Sequence, residues 1–210
     1  MKTDSIVFDL DGTLWDSIGG IAASWNEALA EHFPDVPRRL SAEDVQAVLG
    51  KTIPEIGRIF FPGLAQARIE EIMAYCCEAE SEYLAVHGGR LYPGVERTLE
   101  MLYARYRLFI VSNCHASYIP CFFRAHGLGR FFADYECYGR TQAPKSESIR
   151  LLCGRNGLRG PVYVGDTAGD ARAAHSAGLP FVYAAYGFGE TDEYEYRIER
   201  FEDLQGLRLP

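Results

Sequence analysis

The chain has 210 residues, of which 48% are hydrophobic, enough for one large domain or for a core with a small insertion, and too apolar for a disordered chain. Its formal net charge of −8 argues against nucleic acids and anionic membranes as partners, because most of the surface would repel phosphate groups. A small phosphorylated substrate is still compatible with this charge, since a bound metal and a few cations can reverse the field within one pocket.

The first predicted element is a short apolar strand that ends in two aspartates. Residues 6–13 read Ile-Val-Phe-Asp-Leu-Asp-Gly-Thr, which places Asp9 and Asp11 on the same strand parity and ends the strand at Gly12. Two carboxylates this close repel each other unless a cation or a shared proton lies between them, which indicates a divalent metal. An Asp-Gly pair is also a common turn signal, so this segment alone favours chemistry only modestly.

Residues 17–90 show helical patterns and no strand signal. We predict that Asp16 or Ser17 caps the first helix, and that residues 41–44 form a capping box for the second. Apolar residues recur at three- and four-residue spacing over 18–29, 45–49, 53–60 and 69–86. The segment is therefore predicted to be an all-helical insertion that ends at Gly88-Gly89.

From residue 91 onwards, helical and strand patterns alternate. Helices are predicted near 95–105, 117–126, 146–155 and 169–177, and strands at 107–112, 132–138, 161–165 and 180–184. Alternation of this kind is typical of a parallel sheet with helices on both faces and with ligands at the carboxyl ends of the strands. We predict an α/β fold, with a Rossmann-like three-layer α/β/α core from residues 1–15 and 92–210, a helical cap from 16–91, and a solvated charged tail at 192–199.

Three further short motifs lie at the ends of apolar runs. Ser112-Asn113 closes one predicted strand, Lys145 opens a predicted helix, and Asp166 and Asp170 follow another strand. With the 6–13 segment, these motifs resemble in order and type the four motifs of the haloacid dehalogenase superfamily of hydrolases. The resemblance covers nearly the whole chain and is strongest to the branch similar to phosphoglycolate phosphatases, with a helical cap of the C1 type.

The resemblance implies a Mg²⁺-dependent phosphatase that hydrolyses a small phosphomonoester. Asp9 matches the nucleophile that forms an aspartyl-phosphate, and Asp11 matches the acid/base aspartate, whose backbone carbonyl also binds the metal in that family. Asp166 matches the acidic metal ligand. Asp170 matches a second acid, which we expect to orient metal-bound waters or Lys145.

The remaining matched residues would bind the phosphoryl group. Ser112 would hydrogen-bond it through its hydroxyl and Asn113 through its backbone N–H, while Lys145 would offset the charge of Asp9. Taken singly, Ser112 also fits a strand-ending turn, Asp166 a helix N-cap, and Lys145 a solvated lysine. The helix dipole does not favour a lysine at a helix start, and this favours a site residue.

Other functions are weighed against this one. A phosphomutase similar to β-phosphoglucomutase would share the motifs, but those relatives carry a histidine in the first cap helix near the position of Ile21. Asp11 argues against a dehalogenase, which has no leaving alkoxide to protonate. A receiver domain or a non-catalytic phosphoacceptor or binding module fits the acid and lysine pattern less well. A Cys-x5-Arg match from Cys153 to Arg159 lies at a helix end, and we interpret it as chance.

Two residues are weaker candidates for substrate contact. Lys51 lies where caps of this family place a substrate-contacting loop, and His115 follows Ser112-Asn113 but is predicted to be a surface histidine. The six cysteines show no CxxC pairs or zinc-type spacing, which indicates reduced thiols. With no signal-peptide pattern and no apolar run near the ~20 residues of a bilayer span, we expect a cytoplasmic protein, as a monomer or homodimer.

Overall fold

The computed structural model describes residues 3–209, and its elements follow the predicted order closely. The strands are β1 (Ser5–Phe8), β2 (Trp15–Asp16), β3 (Arg90–Leu91), β4 (Arg107–Ser112), β5 (Phe132–Cys137), β6 (Pro161–Gly165), β7 (Phe181–Ala184) and β8 (Tyr196–Ile198). The α-helices are α1 (Ile18–His32), α2 (Ala42–Gln46), α3 (Ile53–Phe60), α4 (Gln66–His87), α5 (Val95–Tyr103), α6 (Tyr118–His126), α7 (Tyr138–Thr141), α8 (Lys145–Asn156) and α9 (Ala168–Ala177). Two 3₁₀ helices span Leu128–Phe131 and Phe201–Gln205.

Six strands form one parallel sheet in the order β5-β4-β1-β6-β7-β8. Strand β1 lies at its centre, where Phe8 is in register with Ile110 of β4 and Val164 of β6. A central parallel strand is covered on both faces, which explains why residues 6–8 are uniformly apolar and fully buried. The two aspartates that follow β1 are thereby placed at the middle of the sheet edge.

Helices cover both faces of this sheet. One face carries α8 and α9, and the other carries α5 with the 3₁₀ helix at Phe201–Gln205. Strand residues alternate between the two buried clusters: Val7, Phe109 and Tyr163 belong to the first, and Phe8, Ile110 and Val164 to the second. The predicted α/β fold with a Rossmann-like three-layer core is confirmed.

Helices α1 to α4 pack mainly against one another, and α4 also packs against α6 beside the sheet. The expected capping box is present: the Ser41 hydroxyl accepts a bond from the Asp44 backbone N–H. The prediction of no strand in residues 17–90 is wrong at its end. Where the chain enters and leaves the helical segment, Asp16 pairs with Arg90 and Trp15 with Leu91 in a short antiparallel ribbon.

The charged tail is the second departure from the predicted elements. Its residues 196–198 form β8, an edge strand that pairs in parallel with β7. Ile198 is buried, and Tyr196 packs against the core, so apolar residues alternate here with the exposed Arg197. The prediction of a solvated tail is wrong for Tyr196 and Ile198, whereas the other residues of 192–199 are exposed. No helix within residues 3–209 is both long and apolar enough to cross a membrane.

Candidate active site

The turn after β1 holds the two aspartates of the first motif against the sheet. The backbone N–H of Asp9 donates to the Val164 carbonyl at 2.8 Å, which continues the ladder of β1 and β6. Gly12 has φ +78°, and a Cβ atom at this position would lie 2.1 Å from Asp166 Oδ2. Only glycine therefore permits both the left-handed backbone and the close approach of this turn to Asp166.

Lys145, at the start of α8, lies between two buried carboxylates. Its Nζ is 2.9 Å from Asp9 Oδ1 and 2.6 Å from Asp170 Oδ1, and all three side chains are almost fully buried. Burial opposes a charged amine, but the carboxylates of Asp170 and Asp9 outweigh it and raise the pKa of Lys145 well above its usual value. The structure thus brings together three of the predicted residues, and places Asp170 directly on Lys145.

The position of Asp170 is fixed by the start of α9. Asp170 and Thr167 form a reciprocal capping box, in which the Thr167 hydroxyl and backbone N–H donate to Asp170 Oδ2 at 2.6 and 3.1 Å. The other carboxylate oxygen is then free to accept from Lys145. A local helix-capping pattern therefore positions a residue that acts on the lysine.

Asp166 is fully buried and only partly satisfied by the protein. Its Oδ2 accepts from the backbone N–H of Phe188 at 2.7 Å, whereas Oδ1 has no hydrogen-bond partner among the described residues. Carboxylate oxygens of Asp9, Asp166 and Asp170 lie within 4.8 Å of one another. A buried carboxylate oxygen without a hydrogen-bond partner needs a cation or a donor nearby. Hard divalent cations such as Mg²⁺ prefer carboxylate oxygens as ligands, so this group of three acids fits that ion.

The pKa values of Asp9 and Asp166 are raised, because both acids are buried close to other carboxylates. Burial, and to a lesser degree the charges of Asp170 and Asp11, raise the pKa of Asp9 to about 7 against the opposing effect of Lys145. Burial, followed by the charges of Asp170 and Asp9, raises the pKa of Asp166 well above its usual value. One lysine does not balance three buried acids, and a further cation would favour their ionised forms.

Asp11 lies in a different environment, half-buried and surrounded by hydrogen-bond donors. Its Oδ1 accepts from Trp15 Nε1 at 2.9 Å and from Ser17 Oγ at 2.6 Å, and lies 2.7 Å from the Tyr118 hydroxyl. Burial raises the pKa of Asp11 to about 6, although these donors act in the opposite direction. Because the donors converge on Oδ1, Oδ2 is the oxygen that can carry a proton towards a substrate.

Of the two predicted cap residues of α1, Asp16 bonds the helix start and Ser17 does not. Ser17 occupies the N-cap position but makes no side-chain cap bond, because its hydroxyl donates to Asp11 instead. Asp16 Oδ1 accepts from the Ile18 backbone N–H at 3.1 Å, so Asp16 bonds the first turn of the helix. The serine is diverted from helix capping to the candidate site.

Ser112 and Asn113 lie at the end of β4, beside Asp9 and Asp11. Ser112 is buried and lines the same cavity as the two aspartates. The Asn113 side chain donates to the Gly50 carbonyl at 2.8 Å, which ties the sheet edge to the loop between α2 and α3. Sequence alone predicted a backbone role for Asn113 and gave no sign of this side-chain contact.

A narrow cavity joins the sheet edge to the helical segment. Its volume is about 40 Å³, and Asp9, Asp11, Ser112 and Asn113 line its polar end. Residues of α1 to α3 and the loop before α3 line the apolar remainder: Ile21, Trp25, Val45, Val48, Leu49, Ile53 and Ile56. Lys51 also lines the cavity, with a largely exposed side chain. The cavity is large enough for a few waters or a small organic group.

The far wall of this cavity carries a buried acid that was not predicted, Glu80 of α4. His115 Nε2 lies 3.6 Å from Glu80 Oε1, and Cys77 lies one helical turn before Glu80, outside the cavity lining. The prediction that His115 is a surface residue is wrong: its side chain is 14% exposed, because Glu80 and the Tyr118 ring cover it. The available signal was an acid between Cys76 and Leu84 on the apolar stripe of α4.

Comparison with known sequences gives a consistent family. The profile of the family described as haloacid dehalogenase-like hydrolase matches residues 6–184. A phosphoglycolate phosphatase from Haemophilus influenzae (strain 86-028NP) is 30% identical over 193 residues, which cover 87% of this chain and 86% of the relative. A second phosphoglycolate phosphatase, from Mannheimia succiniciproducens, is 30% identical over 195 residues, with 87% and 86% covered.

Comparison with solved structures agrees with the fold. The crystal structure described as a predicted phosphoglycolate phosphatase from Haemophilus somnus 129PT superposes with a TM-score of 0.80 at 27% identity, covering 98% of each chain. A haloacid dehalogenase-like family hydrolase from Streptococcus pneumoniae superposes with a TM-score of 0.82 at 22% identity, covering 97% of each chain, and is similar in fold alone. The whole chain, helical segment included, thus has counterparts of the same architecture.

Proposed function

Since this chain belongs to the haloacid dehalogenase-like hydrolase family, and its relatives support a phosphatase, we propose that it is a Mg²⁺-dependent enzyme that hydrolyses a small phosphomonoester through an aspartyl-phosphate on Asp9. The observation that carries this proposal is the meeting of Asp9, Asp166, Asp170 and Lys145 in one buried cluster at the end of β1. These residues lie at the ends of two strands and at the starts of two helices. They bring positive and negative charges into close range, as phosphoryl transfer requires.

Asp9 is the nucleophile in this proposal. One carboxylate oxygen attacks phosphorus and forms the P–O bond of the aspartyl-phosphate as the bond to the leaving oxygen breaks, and water later cleaves the new bond. The Lys145 ammonium, 2.9 Å from Asp9 Oδ1, orients the carboxylate and favours its ionised form. Asp170 holds that ammonium from the other side at 2.6 Å, so the lysine is fixed in place before substrate enters.

Asp11 is the general acid and base. Its pKa, raised to about 6, lies closer to neutral pH than that of an ordinary aspartate, which suits a group that gives a proton to the departing oxygen and later takes one from the attacking water. The donors from Trp15, Ser17 and Tyr118 hold one of its oxygens and direct the other away from them. The two aspartates of the first motif thus act differently because Asp9 faces a lysine and Asp11 faces neutral donors.

Mg²⁺ would be held by the carboxylates of Asp9 and Asp166 and by the backbone carbonyl of Asp11, with Asp170 acting from behind through Lys145. When bound, this ion supplies positive charge that draws electron density from the phosphoryl oxygens. The Ser112 hydroxyl and the backbone N–H of Asn113 add hydrogen-bond donors at the end of β4. We propose that residues 16–91 act as a cap over the core of 1–15 and 92–210, excluding bulk water during the reaction.

The relatives named phosphoglycolate phosphatase make phosphoglycolate the first ester to test on this chain. The small cavity supports a short leaving group. A phosphomutase is disfavoured, because the first cap helix presents the apolar Ile21 to the cavity, where the mutase relatives carry a histidine.

Phosphate release from p-nitrophenyl phosphate and phosphoglycolate, with and without Mg²⁺, tests the proposed function. The wild type is expected to release phosphate only with Mg²⁺, and Asp9→Asn to lose at least about 10³-fold in rate, because a neutral amide is not a nucleophile. Asp192→Asn, the same change on an exposed acid, is the matched control and should keep the wild-type rate. Full activity of Asp9→Asn would refute the proposal.

A further inference from the structure

The wall of the cavity opposite the sheet carries a buried carboxylate that the proposed mechanism does not use. Glu80 lies on the inner face of α4 with a 4% exposed side chain, and its Oε2 accepts from Trp25 Nε1 at 2.6 Å. A buried carboxylate on an apolar wall is costly unless its oxygens accept hydrogen bonds. The indole fixes the position of Glu80 and satisfies one oxygen only.

The second oxygen of Glu80 faces a histidine that is also incompletely bonded. His115 Nε2 lies 3.6 Å from Oε1, within ion-pair distance but beyond hydrogen-bond distance, and has no hydrogen-bond partner within residues 3–209. Both Glu80 and His115 line the cavity that contains Asp9 and Asp11. Among the described residues, Glu80 Oε1 is therefore an acceptor without a hydrogen-bond donor, on the wall of a cavity whose other end holds Asp9 and Asp11, with the buried His115 Nε2 beside it.

The charges around the cavity oppose an anionic leaving group at this wall. Three acids line the cavity, Asp9, Asp11 and Glu80, and besides burial the charge of Glu80 contributes to the raised pKa of Asp11. Lys51 is the one lysine or arginine among the described residues that line it, and its side chain is largely exposed. A carboxylate next to Glu80 would be repelled, whereas a donor would complete the hydrogen bonds of the buried acid.

We propose that Glu80, assisted by His115, forms a subsite that selects short phosphomonoesters whose leaving group ends in a hydrogen-bond donor, an ammonium or a hydroxyl, over those that end in a carboxylate. This inference rests on the proposed function and names the substrate class of the same cavity. Glu80 Oε1 accepts from the terminal donor while the phosphoryl group lies at Asp9. The apolar residues between the two ends contact the short carbon chain.

The neighbouring Cys77 does not turn this subsite into a metal site. Burial, and secondarily the charge of Glu80, raise the pKa of the Cys77 thiol, which keeps it protonated and a poor ligand. Glu80 Oε2 is already engaged by Trp25. A hydrogen-bonding subsite uses the acceptor that remains, Glu80 Oε1, with His115 Nε2 beside it at 3.6 Å.

Three two-carbon esters test the proposal: phosphoethanolamine, 2-hydroxyethyl phosphate and phosphoglycolate, which end in an ammonium, a hydroxyl and a carboxylate. For the wild type we expect kcat/KM to be at least about tenfold higher for the first two than for phosphoglycolate, a difference of about 1.4 kcal/mol. Glu80→Gln keeps an acceptor for Trp25 but removes the charge. We expect it to reduce the ratio of phosphoethanolamine to phosphoglycolate about tenfold.

Glu82→Gln, on the exposed face of the same helix, is the matched control and should leave this ratio unchanged. The wild-type ratio tests the proposal even if Glu80→Gln does not fold. Lys51→Met tests the opposite selectivity. The subsite would be overturned if the wild type preferred phosphoglycolate, if Lys51→Met removed this preference, and if Glu80→Gln had no effect on it.

Turnover of p-nitrophenyl phosphate distinguishes a failure of the subsite from a failure of the proposed function. If this ester is hydrolysed with Mg²⁺ and the three-ester ratio is insensitive to Glu80, the subsite is wrong and the proposed function stands. If no ester is hydrolysed, the proposed function is overturned, and the subsite with it.

Discussion

The two ends of the cavity are built on different principles. At the sheet end, several carboxylates come from strand and helix ends, and Lys145 joins two of them, Asp9 and Asp170. At the helical end, apolar side chains surround one buried acid, Glu80, whose nearby His115 Nε2 has no hydrogen-bond partner among the described residues. In our proposal, the sheet edge supplies the reaction chemistry, and the helices supply selection among leaving groups.

The largest effect that follows from this contrast is expected at Lys145. Lys145→Met removes the cation between Asp9 and Asp170, two carboxylates buried beside it, and should reduce kcat/KM at least about 10³-fold. Breaking a buried ion pair from one side costs about 3–5 kcal/mol, so the free energy of unfolding should fall by a similar amount. Denaturant unfolding and phosphate release measure the two effects.

The matched control substitutes Lys51, the lysine at the helical end of the cavity. Lys51→Met replaces an exposed lysine and should leave the free energy of unfolding within about 0.5 kcal/mol of the wild type. Equal destabilisation by the two substitutions would show that Lys145 contributes no special buried pairing, and would remove the contrast between the two ends.

A smaller effect is expected from pH and Mg²⁺ together. Burial raises the folded-state pKa of Asp9 to about 7 and of Asp11 to about 6, above the ordinary value of 3.8. Acids whose pKa is higher in the folded than in the unfolded protein lower its stability as pH rises between the two values. Without metal, thermal stability should therefore fall from pH 5 to pH 8.

Mg²⁺ binds the ionised carboxylates, so its stabilising effect should grow over the same pH range. We expect Mg²⁺ to raise the melting temperature by at least about 3 °C more at pH 8 than at pH 5. Asp166→Asn removes the buried acid with an unpartnered oxygen and should abolish most of this gain. A pH-independent gain, or one unchanged in Asp166→Asn, would argue against a cation at these carboxylates.

Much of the fold could be predicted because its signals are local. Strands such as 161–165 and helices such as 169–177 have clear periods, and the glycines at Gly12 and Gly88 mark real left-handed turns. The exceptions depend on pairing between distant residues. The ribbon of Asp16 with Arg90 and the edge strand in the charged tail are too short to show a period of their own.

The site was predictable to the extent that its residues lie at strand or helix ends. Ser112 ends one predicted strand of the parallel sheet, and Asp9 and Asp166 follow two others, so the topology brings these three residues together. The supporting contacts could not be predicted in this way. The sequence allowed Ser17 to cap α1, and its hydrogen bond to Asp11 depends on how the chain passes from the turn after β1 into that helix. Glu80 lies in the middle of a helix, where local sequence does not reveal what its side chain faces.

The most direct test of the central claim is to look for the phosphoryl group on Asp9. The enzyme is mixed with Mg²⁺ and a limiting amount of a turned-over ester, quenched in acid during the first turnover, and its peptides are analysed by mass spectrometry. The account predicts a phosphoryl group on Asp9 that appears and decays within the turnover and is absent in Asp9→Asn. Release of the leaving group with no phosphorylated carboxylate, or with the phosphoryl group on another residue, would contradict it.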